Sequence, residues 1–109
     1  MQSKDKNIYS VIDIGTNTCL LLTAKLQDKT LTEIYESQEI PRRGKDLYRT
    51  GMIPPESFQN VLKIFNKYKT VSKEHGSEKI FAFGTSAMRD AANSNEFIDF
   101  IENGTGIRI

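Results

Sequence analysis

The sequence predicts an α/β domain on a mixed sheet, in the order β-β-β-α-β-α-β with the last strand cut short. Three observations carry that expectation. The first forty residues hold three apolar-rich runs separated by short polar breaks. Residues 54–76 then repeat apolar side chains at the three-and-four spacing of a helix. A compact apolar run ending in glycine, Lys79-Ile80-Phe81-Ala82-Phe83-Gly84, follows as a buried strand. At 109 residues the chain is one domain at most, with a core that is small but sufficient.

Asn7 to Ile14, Thr18 to Leu26 and Thr30 to Ile40 read as the three strands, divided by Gly15-Thr16-Asn17 and by Gln27-Asp28-Lys29. Connections this short join antiparallel neighbours. Near-continuous apolar character in Tyr9 to Ile14 and Leu20 to Leu22 predicts strands covered on both faces, whereas the third run carries several charges and reads as an edge. Pro41 to Ile53 reads as a loop. Pro54-Pro55-Glu56 then sets proline and a negative charge where a helix begins; Phe58, Val61, Leu62, Phe65 and Tyr68 share one face of it, and Gly76 marks its stop. A helix of that length between strands implies a parallel crossover.

A second helix starts at Thr85 to Met88, breaks around Asn93, and resumes with Phe97, Ile98 and Ile101 facing inward as far as Gly104. Asn93 with Glu96 three positions on resembles a capping pair at the restart. Ile107-Arg108-Ile109 has strand character and stops in mid-strand, which reads as the amino-terminal part of a longer protein.

Fifteen basic residues against fourteen acidic ones leave a formal charge of +1, so no global field draws the chain to nucleic acid or to an anionic membrane. Any anion site is local. Tyr9, Tyr35, Tyr48 and Tyr68 are scattered and build no stacking platform for bases. The single cysteine, Cys19, excludes an internal disulfide and reads as a core residue in a reducing compartment. The charged amino terminus has no apolar h-region, and no stretch approaches the roughly eighteen apolar residues of a membrane span. The expected location is the cytoplasm. His75, at the predicted helix end, reads as a solvent-facing residue that favours the negative end of the dipole.

Two segments carry chemistry. In Val11-Ile12-Asp13-Ile14-Gly15-Thr16-Asn17-Thr18 an apolar strand delivers a carboxylate, Asp13, into a tight turn. Gly15 lets the backbone approach a ligand, and Thr16, Asn17 and Thr18 offer hydroxyls and N–H groups at one spot, a seat for a phosphate with a metal ion beside it. In Gly84-Thr85-Ser86-Ala87-Met88-Arg89 a strand end meets a helix start, where N–H groups and the positive end of a dipole face outward. Thr85 and Ser86 supply hydroxyls, and Arg89 lies one turn after Ser86, within reach of the same phosphate oxygens. Alone, the first is a common match and the second is more often an ordinary N-cap; together and in this order they are far more specific.

These residues resemble the exopolyphosphatase and guanosine pentaphosphate phosphatase family of the actin, Hsp70 and sugar-kinase superfamily. Val11 to Thr18 looks like that family's first phosphate motif, and Phe83 to Asn93 is similar to its Thr-Ser-Ala-x-Arg-x-Ala-x-Asn segment. The Thr50-Gly51-Met52-Ile53-Pro54 entry to the long helix matches too. The resemblance runs from about Tyr9 to Ile109 and implies a ribonuclease H-like (actin-like ATPase) half-lobe, the first part of a two-lobed phosphatase. It further implies metal-dependent release of orthophosphate from the end of inorganic polyphosphate or from guanosine pentaphosphate, with Mg2+ or another divalent cation. Asp13 would hold the metal or its water, Gly15 to Thr18 would cradle phosphate with Thr85 and Ser86, and Arg89 would neutralise charge on the reacting group.

The catalytic glutamate of the family belongs to a Gly-x-x-Glu-Ala-like segment after the strand where these residues stop, so the 109 residues alone are expected to be inactive. Arg43 stands where the family often has an apolar residue, and Cys19 where relatives commonly carry serine. Arg42, Arg43, Lys45 and Arg49 read either as a solvated loop or as a basic rim for a polyanion. Two other readings are a phosphotransferase of the wider superfamily, and a module that binds phosphate or a protein without catalysis, with an open strand edge for pairing or homodimerisation.

Overall fold

The computed structural model describes residues 7–15, 18–40 and 50–109. The loop cations Arg42, Arg43, Lys45 and Arg49 lie outside the described residues. Four strands form one sheet: β1 (Ile8–Ile14), β2 (Cys19–Gln27), β3 (Thr30–Glu39) and β4 (Lys79–Gly84), ordered β3-β2-β1-β4. The β1–β2 and β2–β3 pairs are antiparallel and β1–β4 is parallel, as the short connections and the helical crossover require. The β2–β3 turn places Asp28 and Lys29 at φ of 52° and 64°, both in the left-handed region that a two-residue hairpin turn of this twist demands.

Helix α1 (Pro55–Glu74) begins with Pro54 as its N-cap and Pro55 in its first turn, where the missing N–H costs nothing. It ends at His75, and Gly76 continues at φ 83°. The His75 ring is half-buried, with Nδ1 bonded to Val71 O at 2.8 Å and the ring 4.6 Å from that of Tyr35. It packs where a solvent-facing residue was expected.

After β4, a single turn α2 (Ser86–Arg89) precedes α3 (Ser94–Thr105), so the break at Asn93 is real. Two details of that segment differ from expectation. The stop is Gly106 at φ 82° and not Gly104, which sits inside α3 against Leu62 of α1, where an added Cβ would meet Leu62 Cδ1 at 2.4 Å. A glycine selected for helix contact and a glycine that ends a helix look alike in sequence. Residues 107–109 run on without strand pairing, although Ile107 is buried and Ile109 packs on the core.

Both long helices pack against one face of the sheet. Val61, Phe65 and Tyr68 from α1 and Phe97 and Ile101 from α3 join Ile12, Ile14, Cys19 and Leu21 in a single core. Tyr68 extends across it and its hydroxyl donates to Cys19 O at 2.6 Å, so α1 fixes the first residue of β2. Ser10 and Thr23, which interrupt the apolar pattern, are bonded to each other inside the core at 2.7 Å.

The opposite face corrects the sequence reading. Along β1, buried residues alternate with partly exposed Tyr9 and Val11 and exposed Asp13, and β2 alternates in the same way through Leu20 and Leu22. Apolar residues do occupy both faces, but among the described residues helices cover only one.

Cys19 is fully buried, and burial, with smaller contributions from Asp13 and Glu39, pushes its thiol up to about 12 from an ordinary 9.0. The folded chain therefore keeps this proton across a pH range in which the unfolded chain releases it, so stability falls as pH rises through that window. Urea midpoints measured from pH 8 to 11 are expected to decline, less steeply in Cys19→Ala. An equal slope in the two proteins would show that Cys19 contributes nothing to it.

Candidate active site

Two turns meet at the carboxyl ends of the parallel pair. Ile14 of β1 is in register with Gly84 of β4, and the Thr85 N–H donates to Ile14 O at 3.1 Å, so the second turn is bonded to the last residue before the first. The first turn closes through Gly15 N–H donating to Thr18 O at 2.8 Å. A Cβ placed on Gly15 would come within 3.5 Å of Thr85 Cγ2, so the backbone of one turn rests against the side chain of the other.

Asp13 is exposed at the end of β1, on the uncovered face of the sheet and in register with Phe83 and Leu20. Its neighbours in sequence, Ile12 and Ile14, are buried, which holds the carboxylate by anchoring the strand on both sides of it. Thr18 is half-buried beside Gly15. Thr16 and Asn17 lie outside the described residues.

Thr85 caps α2, its Oγ1 accepting from Met88 N–H at 3.4 Å, so the ordinary N-cap role is real. Because α2 has only four residues, a helix dipole adds little here, contrary to the expectation of a longer first helical segment. Arg89 is exposed and folds back over its own turn: Nε donates to Gly84 O at 3.1 Å and Nη2 to Ser86 Oγ at 3.4 Å. That leaves the rest of the guanidinium fork free of those two bonds, beside Gly84 and Ser86. Asp13, Gly15, Thr18, Thr85, Ser86 and Arg89 thus come from two adjacent strand ends at one edge of the sheet.

Asn93 is the contributor that pattern reading misassigned. Its side chain makes no cap bond to α3; instead Oδ1 accepts from Ile53 N–H at 2.8 Å and Nδ2 donates to Ile53 O at 2.9 Å. Beside it, Ala92 N–H donates to Gly51 O at 3.0 Å. The amide clips the Thr50-Gly51-Met52-Ile53 entry of α1 to the segment that follows Arg89. Both segments were recognisable in the sequence, but a contact across forty residues leaves no local signal. Asn93→Ala is expected to cost about 2–3 kcal/mol, because two bonds are lost and a part-buried peptide group loses its partners. Its urea midpoint tests this, with Asn93→Asp, which keeps only the acceptor, falling between.

Among the described residues no cluster of three or more histidine, cysteine, aspartate or glutamate side chains gathers to hold an ion. A cation held at this edge would take one carboxylate, Asp13, from the described residues and complete its shell with water and ligand oxygens.

Residues 22–109 match the Ppx/GppA phosphatase family. The chain is 34% identical over 97% of its length to a bifunctional 3-dehydroquinate synthase/phosphatase of Fusobacterium nucleatum, covering 17% of that protein. It is 24% identical over 91% of its length to exopolyphosphatase 1 of Mycobacterium leprae, covering 30% of it. Among solved structures, a Ppx/GppA phosphatase of Aquifex aeolicus superposes with a TM-score of 0.85 at 27% identity, over 93% of this chain and 34% of that one. An exopolyphosphatase of Cytophaga hutchinsonii gives 0.85 at 29% identity, over 93% and 32%. The chain spans about a third or less of these relatives.

Proposed function

The chain belongs to the Ppx/GppA phosphatase family, and from that premise we propose that it supplies the phosphate-holding edge of a metal-dependent hydrolase of terminal phosphoanhydride bonds. The substrates in this reading are inorganic polyphosphate or guanosine pentaphosphate, and the product is orthophosphate. The observation that supports the proposal is the bonded contact between the two turns, Thr85 N–H to Ile14 O, which sets the strand ends that carry Asp13, Gly15 and Arg89 side by side. Phosphoryl transfer asks little covalent chemistry of a protein and much positioning of charge, and this set supplies that.

Each residue has a distinct part. Asp13 would hold Mg2+ or its water, and the ion would supply charge neutralisation at phosphate oxygens. Gly15 brings its turn close to the anion, with Thr16, Asn17 and Thr18 lending N–H and hydroxyl donors. Thr85 and Ser86 line the opposite wall, and Arg89 swings its remaining donors onto the reacting phosphate. The chain spans about a third or less of its relatives, and in this reading its residues supply the phosphate-holding part of one lobe, with the family's water-activating glutamate contributed by another segment. The setting in this reading is the cytoplasm.

The complete polypeptide carrying this sequence, supplied with Mg2+, is expected to release phosphate from long-chain polyphosphate or from guanosine pentaphosphate. Release from neither overturns the proposal. In the same protein Arg89→Ala lowers turnover and leaves the melting temperature unchanged; a large loss of stability at normal turnover would make Arg89 structural.

A further inference from the structure

The first turn stands on two feet, Ile14 at the end of β1 and Cys19 at the start of β2, which form the last register pair of that hairpin. Each foot is held by a group from a different element. Ile14 O accepts the Thr85 N–H at 3.1 Å, and Cys19 O accepts the Tyr68 hydroxyl at 2.6 Å. Between the feet, Gly15 N–H closes onto Thr18 O, one residue before Cys19.

Tyr68 is 1% exposed, and its hydroxyl lies 3.4 Å from Ser37 O as well, so one phenol spans the start of β2 and the neighbouring β3. Burial raises its pKa above the ordinary value, and the hydroxyl stays a donor at neutral pH. Phenylalanine would fill the same space in the core. What the oxygen adds is a fixed distance between helix and turn.

The helix that carries Tyr68 is fastened at its other end to the continuation of the second turn. Asn93 holds Ile53 by two bonds of 2.8 and 2.9 Å, and Ala92 N–H donates to Gly51 O at 3.0 Å. The contacts therefore close a ring: first turn, second turn, Asn93, the entry of α1, α1 itself, Tyr68, and the first turn again. Its long member is α1, about 20 Å from Pro55 to Tyr68 at 1.5 Å per residue.

We propose that α1 is the strut that sets the spacing of the two turns, and that Tyr68, through its hydroxyl, is the positioning residue for the first of them. The inference rests on the reading that these turns hold phosphate. Without that bond, Cys19 is held only by strand pairing and its buried side chain, and the turn from Gly15 to Thr18 gains freedom relative to Arg89. A small misplacement at a reacting phosphate lowers the rate steeply.

Hydrogen exchange and steady-state kinetics on the complete polypeptide and its Tyr68→Phe variant test the assignment. Exchange at the Gly15 amide is expected to rise about tenfold, while the Ile12 amide, in the middle of β1, keeps its rate. With Mg2+ and whichever of the two substrates the unsubstituted protein hydrolyses, kcat per folded molecule falls about tenfold and KM stays within about twofold. A role in stability alone would lower the melting temperature and leave kcat per folded molecule in place. Adding Asn93→Ala breaks a ring that is already open, so the pair lowers kcat by less than the product of the two single effects. A Gly15 amide that exchanges as before overturns the inference, and so does an unchanged kcat in an active protein or a strictly multiplicative pair. Release of phosphate from neither substrate by the unsubstituted protein overturns the phosphate reading instead, and the Gly15 amide then still reports whether Tyr68 holds the turn.

Discussion

Phe65→Ala is expected to remove about 3–5 kcal/mol of stability, the usual cost of emptying a phenylalanine site in a packed core. Phe65 is 0% exposed and sits midway along α1, between Val61 and Tyr68 on the face that meets the sheet. A domain of this size has only about 5–15 kcal/mol in total, so the loss takes at least about a fifth of it. The effect should also reach the site, because the same helix face carries Tyr68, whose hydroxyl holds Cys19 at the exit of the first turn. Urea unfolding gives the number. A change below about 1 kcal/mol would mean that the core collapses around the gap and that α1 is not the clamp described.

The second large effect is on turnover. In the complete polypeptide, Asp13→Asn is expected to depress phosphate release a hundredfold or more while leaving the melting temperature within about a degree, since removing one preorganised charge from a phosphoryl-transfer site has costs of that order. The separation of the two readouts follows from placement: Asp13 is exposed, and its anchoring neighbours Ile12 and Ile14 are unchanged. Raising Mg2+ should recover part of the activity if the carboxylate holds the cation. Full activity in Asp13→Asn would remove Asp13 from the chemistry, whatever the fate of Arg89.

Much of this architecture could be read from residue order. The apolar spacing from Phe58 to Tyr68 marks α1 because a helix that covers a sheet must repeat its contacts every three to four residues. Asp13-Ile14-Gly15 and Gly84-Thr85-Ser86 announced strand-end turns because each joins an apolar run to glycine and hydroxyl residues. Their meeting followed from the parallel crossover, which brings β4 alongside β1 with both carboxyl ends at one edge.

Other features left no readable trace. Tyr9 to Ile14 is apolar on both faces, and a run of that kind does not say which face is covered by its own domain. Asn93 followed by Glu96 has the form of a cap, yet the amide is engaged by Ile53, because a nearby peptide group offers it both a donor and an acceptor. The splitting of the second helix was legible, but the shortness of α2 was not, and with it went the dipole argument for that turn.

The hairpin at Asp28 and Lys29 has a practical use. It lies at the far end of β2 from Gly15, nine residues of strand away, and both of its central residues are exposed. A fluorophore, an affinity handle or an inserted reporter peptide attached there would hang clear of the proposed phosphate edge and of the packed helices, giving an observation post from which the predicted capture of phosphate can be followed without touching the residues proposed to perform it.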